Sequence, residues 1–166
     1  MKLIFYFDLD DCLFNTTEHE HKYGDNEDFY NNIIPNNNLY NLLNKLPGKK
    51  HILTNANRAH ASYVLHKLKL NNINNLISTD LFNLSKPNIE YYKTSNKWLN
   101  IDNDNSLIFF FEDTVNNLKT AKKMNWKTIL INNNNITKNY DFVDHQFNTI
   151  EDSLLFFIDL LNQRSS

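Results

Sequence analysis

Glycine occurs only 2 times and cysteine 1 time in this chain of 166 residues, and long apolar runs are missing altogether. The lone Cys12 excludes an internal disulfide framework and fits a reducing compartment. Without a stretch approaching about 18 consecutive apolar residues, no segment is expected to span a membrane. Met1-Lys2 leads into a short apolar run broken at Asp8 with no small-residue cleavage site, so no signal peptide and a cytoplasmic location are expected. Basic charge is not in excess either. The net charge of −2 and a pI near 6.3 give no electrostatic reason to expect nucleic acid.

Asparagine, by contrast, is very common, with runs at Asn36–Asn38 and Asn132–Asn135. Asparagine adopts left-handed backbone conformations and can replace glycine in turns and helix C-caps. Apolar periodicity resumes on both sides of these runs, so they read as loops. The length suits one domain over residues 1–166, and 41% apolar content suits a packed core.

The chain is organised around Leu3-Ile4-Phe5-Tyr6-Phe7, an aromatic and β-branched run that reads as a strand buried on both faces. It stops at a cluster of acids, Asp8, Asp10 and Asp11. Carboxylates this close raise one another's pKa unless a positive charge sits among them, and a hard divalent cation, most simply Mg²⁺, is the natural neutraliser. One carboxylate is then available as a nucleophile. A turn after Asp8 is required to bring Asp10 to the same pocket. The plainer alternatives are a solvated acidic turn or a simple cation site.

Residues 15–34 are polar and mixed, with at most one turn or hairpin expected. Glu18, His19, Glu20 and His21 match no zinc spacing, since i and i+2 do not face one another on a helix. Leu39, Leu42, Leu43 and Leu46 mark an amphipathic helix that Pro47-Gly48 stops. Strands are predicted at 51–55, 76–79, 107–111 and 127–131, with a short sixth within 142–147. Helices are predicted from Asn57, from Ser85-Lys86-Pro87 to about Leu99, through Val115 to Met124, and over 151–162. Strands alternating with helices at this spacing imply an α/β fold, a three-layer Rossmann-like parallel sheet with helices on both faces.

In such a sheet the carboxyl ends of the strands share one edge. Four polar sets fall there: Asp8 with Asp10, Thr54 with Asn55, Lys86, and Glu112 with Asp113. Taken singly, each has a plain reading: a turn after a strand for Thr54-Asn55, a solvated helix start for Lys86, a helix cap for Glu112-Asp113-Thr114. In this order they form a set for phosphoryl transfer. Asp8 serves as nucleophile and Asp10 as proton donor, Thr54 and Asn55 donate to phosphate oxygens, Lys86 offsets charge, and Glu112 and Asp113 hold the cation.

These residues resemble the haloacid dehalogenase-like phosphohydrolases, from Leu3 to about Leu161. The family's Asp-x-Asp motif is similar to Phe7-Asp8-Leu9-Asp10, and its Thr at a strand end to Ile52-Leu53-Thr54-Asn55. Its Lys before Pro is similar to Ser85-Lys86-Pro87, and its acidic motif to Phe111-Glu112-Asp113-Thr114, followed by Asn116-Asn117. Asp10-Asp11-Cys12-Leu13 and Leu53-Thr54-Asn55-Ala56, with His60 following, look most like pyrimidine 5′-nucleotidase-like members. The resemblance implies that Asp8 is the nucleophile, Asp10 the general acid/base, and Thr54 and Lys86 the phosphate holders. It further implies that Asp8, the Asp10 backbone carbonyl and Asp113 bind Mg²⁺, with Glu112, acting through water, and Asn117 behind them. The expected substrate is a phosphate ester, a nucleotide first. Members acting on small esters usually insert a helical cap after the first motif, yet only about 20 residues, 15–34, stand there. An open site is expected, completed by a second copy of the chain or by a large substrate.

Overall fold

The computed structural model describes residues 1–132 and 138–163. Residues 133–137, which hold most of the second asparagine run, lie outside the described residues, as do 164–166. Six strands are present: β1 (Lys2–Phe7), β2 (Lys49–Leu53), β3 (Asn75–Ile77), β4 (Ser106–Glu112), β5 (Lys127–Ile131) and β6 (His145–Phe147). They form one parallel sheet in the order β3-β2-β1-β4-β5-β6. The acid-tipped first strand is therefore internal, between β2 and β4.

Alternation along β1 explains why both faces must be covered. Phe5 and Phe7 pack with Phe109 and Phe111 of β4 on one face, at ring-centroid distances of 5.2 and 4.7 Å. Leucines of α3 (Asn37–Lys45), Val64 of α4 (Arg58–Lys67), and Leu154 and Phe157 of α8 (Ile150–Gln163) close that face. Ile4 and Tyr6 point to the other face, where Tyr6 stacks on Trp126 at 4.8 Å. There α6 (Ile89–Trp98) contributes Tyr91 and Tyr92, and α7 (Val115–Lys123) contributes Leu118 and Ala121. Each fully buried side chain of this size is worth about 2 kcal/mol, so the edge of the sheet carrying the acids is held on a rigid base.

Asparagine fills the conformational role expected of it. Asn83, Asn100 and Asn125 adopt φ of 53°, 52° and 58°, each just past a helix end. A second use was not anticipated: Asn26, Asn36, Asn57 and Asn88 each cap a helix N-terminus by accepting a backbone N–H. Glycine survives where asparagine cannot serve. At Gly48 (φ 98°) a Cβ would sit 2.4 Å from the carbonyl oxygen of Leu3, so only glycine lets the start of β2 approach β1.

Three expectations need correction. Residues 15–34 form two short helices, α1 (Thr16–Tyr23) and α2 (Glu27–Asn31), not a turn or hairpin. The reason is local. Asp11 accepts from the backbone N–H and hydroxyl of Thr17, at 2.8 and 2.6 Å, satisfying the first turn of α1, and Asn26 caps α2. The helix expected from Ser85 begins only at Ile89, because the side chain of Asn88 caps it there. Thr79 opens α5 (Thr79–Phe82) instead of ending a strand. No evident cap covers the sheet edge among the described residues. Among the described residues, no helix is long and apolar enough to cross a membrane.

Candidate active site

The turn required after Asp8 is present. Leu9 accepts backbone hydrogen bonds from Cys12, Leu13 and Phe14, and Asp11 takes a left-handed φ of 57° to make this possible. Asp8 itself continues the sheet, its N–H donating to the carbonyl of Phe111 at 2.9 Å. The first strand thus delivers Asp8 beside the end of β4.

Lys86 is the hub. Its ammonium donates to Asp8 Oδ1 at 2.7 Å, to Glu112 Oε2 at 2.7 Å and to the Leu53 carbonyl at 2.8 Å. All three ammonium hydrogens are committed, so Lys86 acts on an incoming anion through its charge unless one bond is exchanged. Burial alone would neutralise the amine. Asp8 and Glu112 reverse that and hold its pKa well above the ordinary value. Asn55 explains how the lysine is aimed. Its side-chain amide donates to Lys86 O at 2.9 Å and its oxygen accepts from Lys86 N at 2.8 Å. Asn55 was expected to donate to phosphate oxygens; instead it is anchored to the backbone of Lys86, which leaves one amide hydrogen for that purpose.

Glu112 is fully buried and saturated. Oε1 accepts from the backbone N–H groups of Asp113 and Thr114, at 2.9 and 3.0 Å, and Oε2 accepts from Lys86 and from Asn117 Nδ2 at 3.0 Å. This carboxylate holds the two backbone N–H groups that lead into α7, whose N-cap Thr114 makes no side-chain cap bond. Burial would raise its pKa, but Lys86 and these donors overcome burial and lower it. With its lone pairs spent, Glu112 lies behind the site as a buttress.

The remaining acids are short of positive charge. One oxygen from each of Asp8, Glu112 and Asp113 lies within 4.8 Å of the others, the one such carboxylate group found among the described residues. Burial and Glu112 push Asp8 up to about 7, against the pull of Lys86 at 2.7 Å; the lysine is shared, and Glu112 holds the larger claim through its extra donors. Burial, then Glu112 and Asp8, push Asp113 up to about 9. Were all three carboxylates ionised, they would exceed the one ammonium by two negative charges, which a divalent cation would cancel. The donors are oxygens, as a hard cation requires. The set fits Mg²⁺.

Thr54, almost fully buried, accepts from Ala56 N at 3.0 Å, which leaves its hydroxyl proton to donate elsewhere. Tyr91 accounts for its fixed backbone by donating to the Thr54 carbonyl at 2.8 Å. Asp10 is placed differently. Its Oδ1 accepts from the Thr16 hydroxyl at 2.6 Å and from His60 Nε2 at 3.0 Å. Burial works against ionisation there, but those two donors outweigh it and the pKa falls below the usual carboxylate value.

Thr16 and Tyr30, which meets His60 at 2.9 Å, were not singled out from sequence. His60 was noted only as a family-like residue. No local spacing connects any of them to Asp10. His19 is not a metal ligand candidate: its ring packs among Phe14, Tyr23 and Phe29, and its Nε2 meets the Phe29 carbonyl at 2.8 Å.

An open depression of about 360 Å³ lies against Asp113 and is lined also by Asp11, Thr17 and Glu18. A larger one, about 590 Å³, lies between α1 and the start of α8 and touches neither Asp8, Asp10, Lys86 nor Asp113. Asp113 is the member of the carboxylate cluster that lines the smaller one.

Comparison with known proteins bears on the family and the fold. The sequence pattern of the haloacid dehalogenase-like hydrolases matches residues 19–131, a segment that begins after Asp8 and Asp10. No curated protein matches the chain in sequence. Among solved structures, an L-2-haloacid dehalogenase from Xanthobacter autotrophicus with chloropropionic acid covalently bound superimposes with a TM-score of 0.73 at 13% identity, over 94% of this chain and 98% of that one. A HAD phosphatase from Thermococcus onnurineus gives 0.64 at 16% identity, over 94% and 97%. A putative HAD-hydrolase from Bacillus subtilis bound to magnesium gives 0.71 at 11% identity, over 94% and 98%.

Proposed function

Since the chain belongs to the haloacid dehalogenase-like hydrolase family, we propose that it is a Mg²⁺-dependent phosphomonoesterase working through an aspartyl-phosphate on Asp8. The observation that carries this is the cluster of three carboxylates beside Lys86, built from oxygen donors. Asp8, Asp113 and the backbone carbonyl of Asp10 would hold the ion, with Glu112 and Asn117 behind them. When bound, it offsets the repulsion between a carboxylate and a phosphoryl dianion.

The chain's own groups account for the remaining steps. Asp8 attacks phosphorus, a P–O bond to its carboxylate forms, and the P–O bond to the alcohol breaks. Lys86 compensates charge on the transferred group from behind Asp8, and the Thr54 hydroxyl donates to one of its oxygens. In its protonated form Asp10 gives a proton to the departing alkoxide, and the carboxylate so formed takes one from the water that hydrolyses the aspartyl-phosphate. The products are an alcohol and inorganic phosphate, and both carboxyls return to their starting states.

Structural relatives include dehalogenases, and Asp10 bears on the choice. A halide leaves without a proton, whereas an alkoxide requires one. A carboxyl anchored by Thr16 and His60 beside the nucleophile has a use only in the second case. The test is phosphate release from para-nitrophenyl phosphate with and without Mg²⁺, beside halide release from 2-chloropropionate. Mg²⁺-dependent phosphate release supports the proposal; halide release without phosphate release replaces it with the dehalogenase reading. Release of neither points to a non-catalytic, ligand-binding role for the fold.

Nucleotides are the first substrates to test, on the likeness of Leu53-Thr54-Asn55-Ala56 and His60 to nucleotidase-like members. A second reading has its own support. With no evident cap, a macromolecular substrate such as a phosphoprotein or a nucleic-acid end could reach the site, or a second copy of the chain could cover it.

A further inference from the structure

We infer that His60, held by Tyr30, is a positioning residue for Asp10, so that the 15–34 segment serves leaving-group protonation without roofing the site. The inference rests on the proposed role of Asp10 as proton donor.

Two elements converge on one carboxylate oxygen, and a third holds the histidine. Thr16, at the start of α1, and His60, in the first turn of α4, both donate to Asp10 Oδ1, at 2.6 and 3.0 Å. With Oδ1 doubly engaged, Oδ2 is left to carry the exchanged proton. The Asp10 carboxylate can only accept, so it calls for the His60 ring hydrogen on Nε2. In that tautomer Nδ1 is an acceptor, and the hydroxyl of Tyr30, from α2, lies 2.9 Å away, placed to donate to it and hold the ring. The reverse tautomer would turn a nitrogen lone pair on an ionised carboxylate. The backbone of His60 is also fixed, since its N–H donates to the side-chain oxygen of Asn57 at 2.8 Å.

Stability is a poor reason for this arrangement. The His60 and Asp10 side chains are 20% and 30% exposed, and a pair this open contributes at most about 1 kcal/mol. Orientation is the better reason, because a carboxyl that must reach a leaving oxygen loses efficiency when it rotates freely.

A packing role competes with this, because Tyr30 also meets Tyr63 at 5.0 Å and Phe29 meets His60 at 6.0 Å. The two roles separate on the leaving group. A nitrophenolate departs with little help from an acid, whereas the alkoxide of glycerol 2-phosphate needs one. The experiment is kcat/KM on para-nitrophenyl phosphate and on glycerol 2-phosphate for the wild type, His60→Ala, His60→Gln, Tyr30→Phe, Asp10→Asn and the His60→Ala/Asp10→Asn double variant, with melting temperatures for each. His60→Ala is expected to lose about tenfold more on the alkyl ester than on the nitrophenyl ester. His60→Gln, whose amide can donate to Asp10, is expected to recover part of that, and Tyr30→Phe to show a smaller loss in the same sense. In the Asp10→Asn background the His60 change is expected to add nothing.

Equal losses on both esters, or a His60 effect that persists without Asp10, overturn the inference in favour of packing. If His60→Ala fails to fold, Tyr30→Phe, which removes one hydroxyl, makes the same comparison, and an equal loss on both esters overturns the inference there too. A wild type inactive on both esters overturns the phosphomonoesterase proposal itself, which is a different outcome from an active wild type whose His60 variants show no leaving-group bias.

Discussion

Around Lys86 every donor is spent inside the protein, whereas around Asp10 the partners stand half in water. The Lys86 and Glu112 side chains are 1% and 0% exposed and Asp8 is 10% exposed; Asp10 and His60 are 30% and 20% exposed. Both sides of the site hold a carboxylate beside a cationic or neutral nitrogen donor at 2.7 to 3.0 Å. Their energetics differ because solvent differs. A buried charge that loses its partner is stranded, at a cost of about 3–5 kcal/mol, while an exposed pair can be replaced by water for about 1 kcal/mol or less. The phosphate side is therefore rigid and intolerant of change, and the leaving-group side is adjustable. A hydrolase needs the first for a phosphoryl group that is always the same and the second for leaving groups that vary.

The sharpest way to break this comparison is at its centre. Asp8→Asn is expected to abolish turnover, measured as Mg²⁺-dependent phosphate release. Near wild-type activity in that variant would remove the covalent mechanism. Asp10→Asn, on the adjustable side, is expected to slow turnover about 10²–10⁴-fold while still binding phosphate in a competition assay. A preserved rate there reassigns the proton donor and leaves Asp8 untouched.

Stability should report the same contrast in a different quantity. Lys86→Met strands Asp8 and Glu112 and is expected to cost about 3–5 kcal/mol in urea unfolding, against about 1 kcal/mol or less for His60→Ala. Equal costs would show that burial does not divide the site as described.

Titration gives a further test. The pKa values of Asp8 and Asp113 are raised to about 7 and about 9 from 3.8. The folded protein keeps protons that the unfolded chain has released, so cation-free stability is full below the unfolded value and falls as pH rises through that window. Mg²⁺ binds the ionised forms. Its gain in melting temperature is therefore expected to grow toward the alkaline end of the window. A gain independent of pH would remove Asp8 and Asp113 as its ligands.

The smallest expected effect is selectivity. Two short helices leave little surface to enclose a leaving group, so a monomer should discriminate weakly among phosphate esters, with affinities of about 1 mM. Measured kcat/KM over a nucleotide panel, with mass from light scattering, checks this. A strict monomer that prefers one nucleotide by about a hundredfold, roughly 3 kcal/mol, would show that α1 and α2 recognise more than they enclose.

Several features of this molecule follow from local chemistry and are legible along the chain. The aromatic runs at 3–7 and 107–111 specify buried parallel strands because no other packing hides both of their faces. Asn83, Asn100 and Asn125 end helices because asparagine tolerates the left-handed turn that glycine usually supplies. Acids at strand ends mark the chemical edge of the sheet. The helices of 15–34 were missed because their signal is weak within the segment: Asp11, which satisfies the first turn of α1, lies outside it.

Only the tertiary structure decided which side chains those acids meet. Asn55 is also the anchor of Lys86, 31 residues away, and Glu112 is a saturated buttress because Lys86 and Asn117 reach it. His60 found Asp10 across 50 residues because α4 leaves β2 beside the turn that follows β1. Strand and helix patterns are written in neighbouring residues, whose spacing sets which face is apolar. The partner of a carboxylate is set by which loops the sheet order brings to one edge, and that order is fixed by the packing of the whole core.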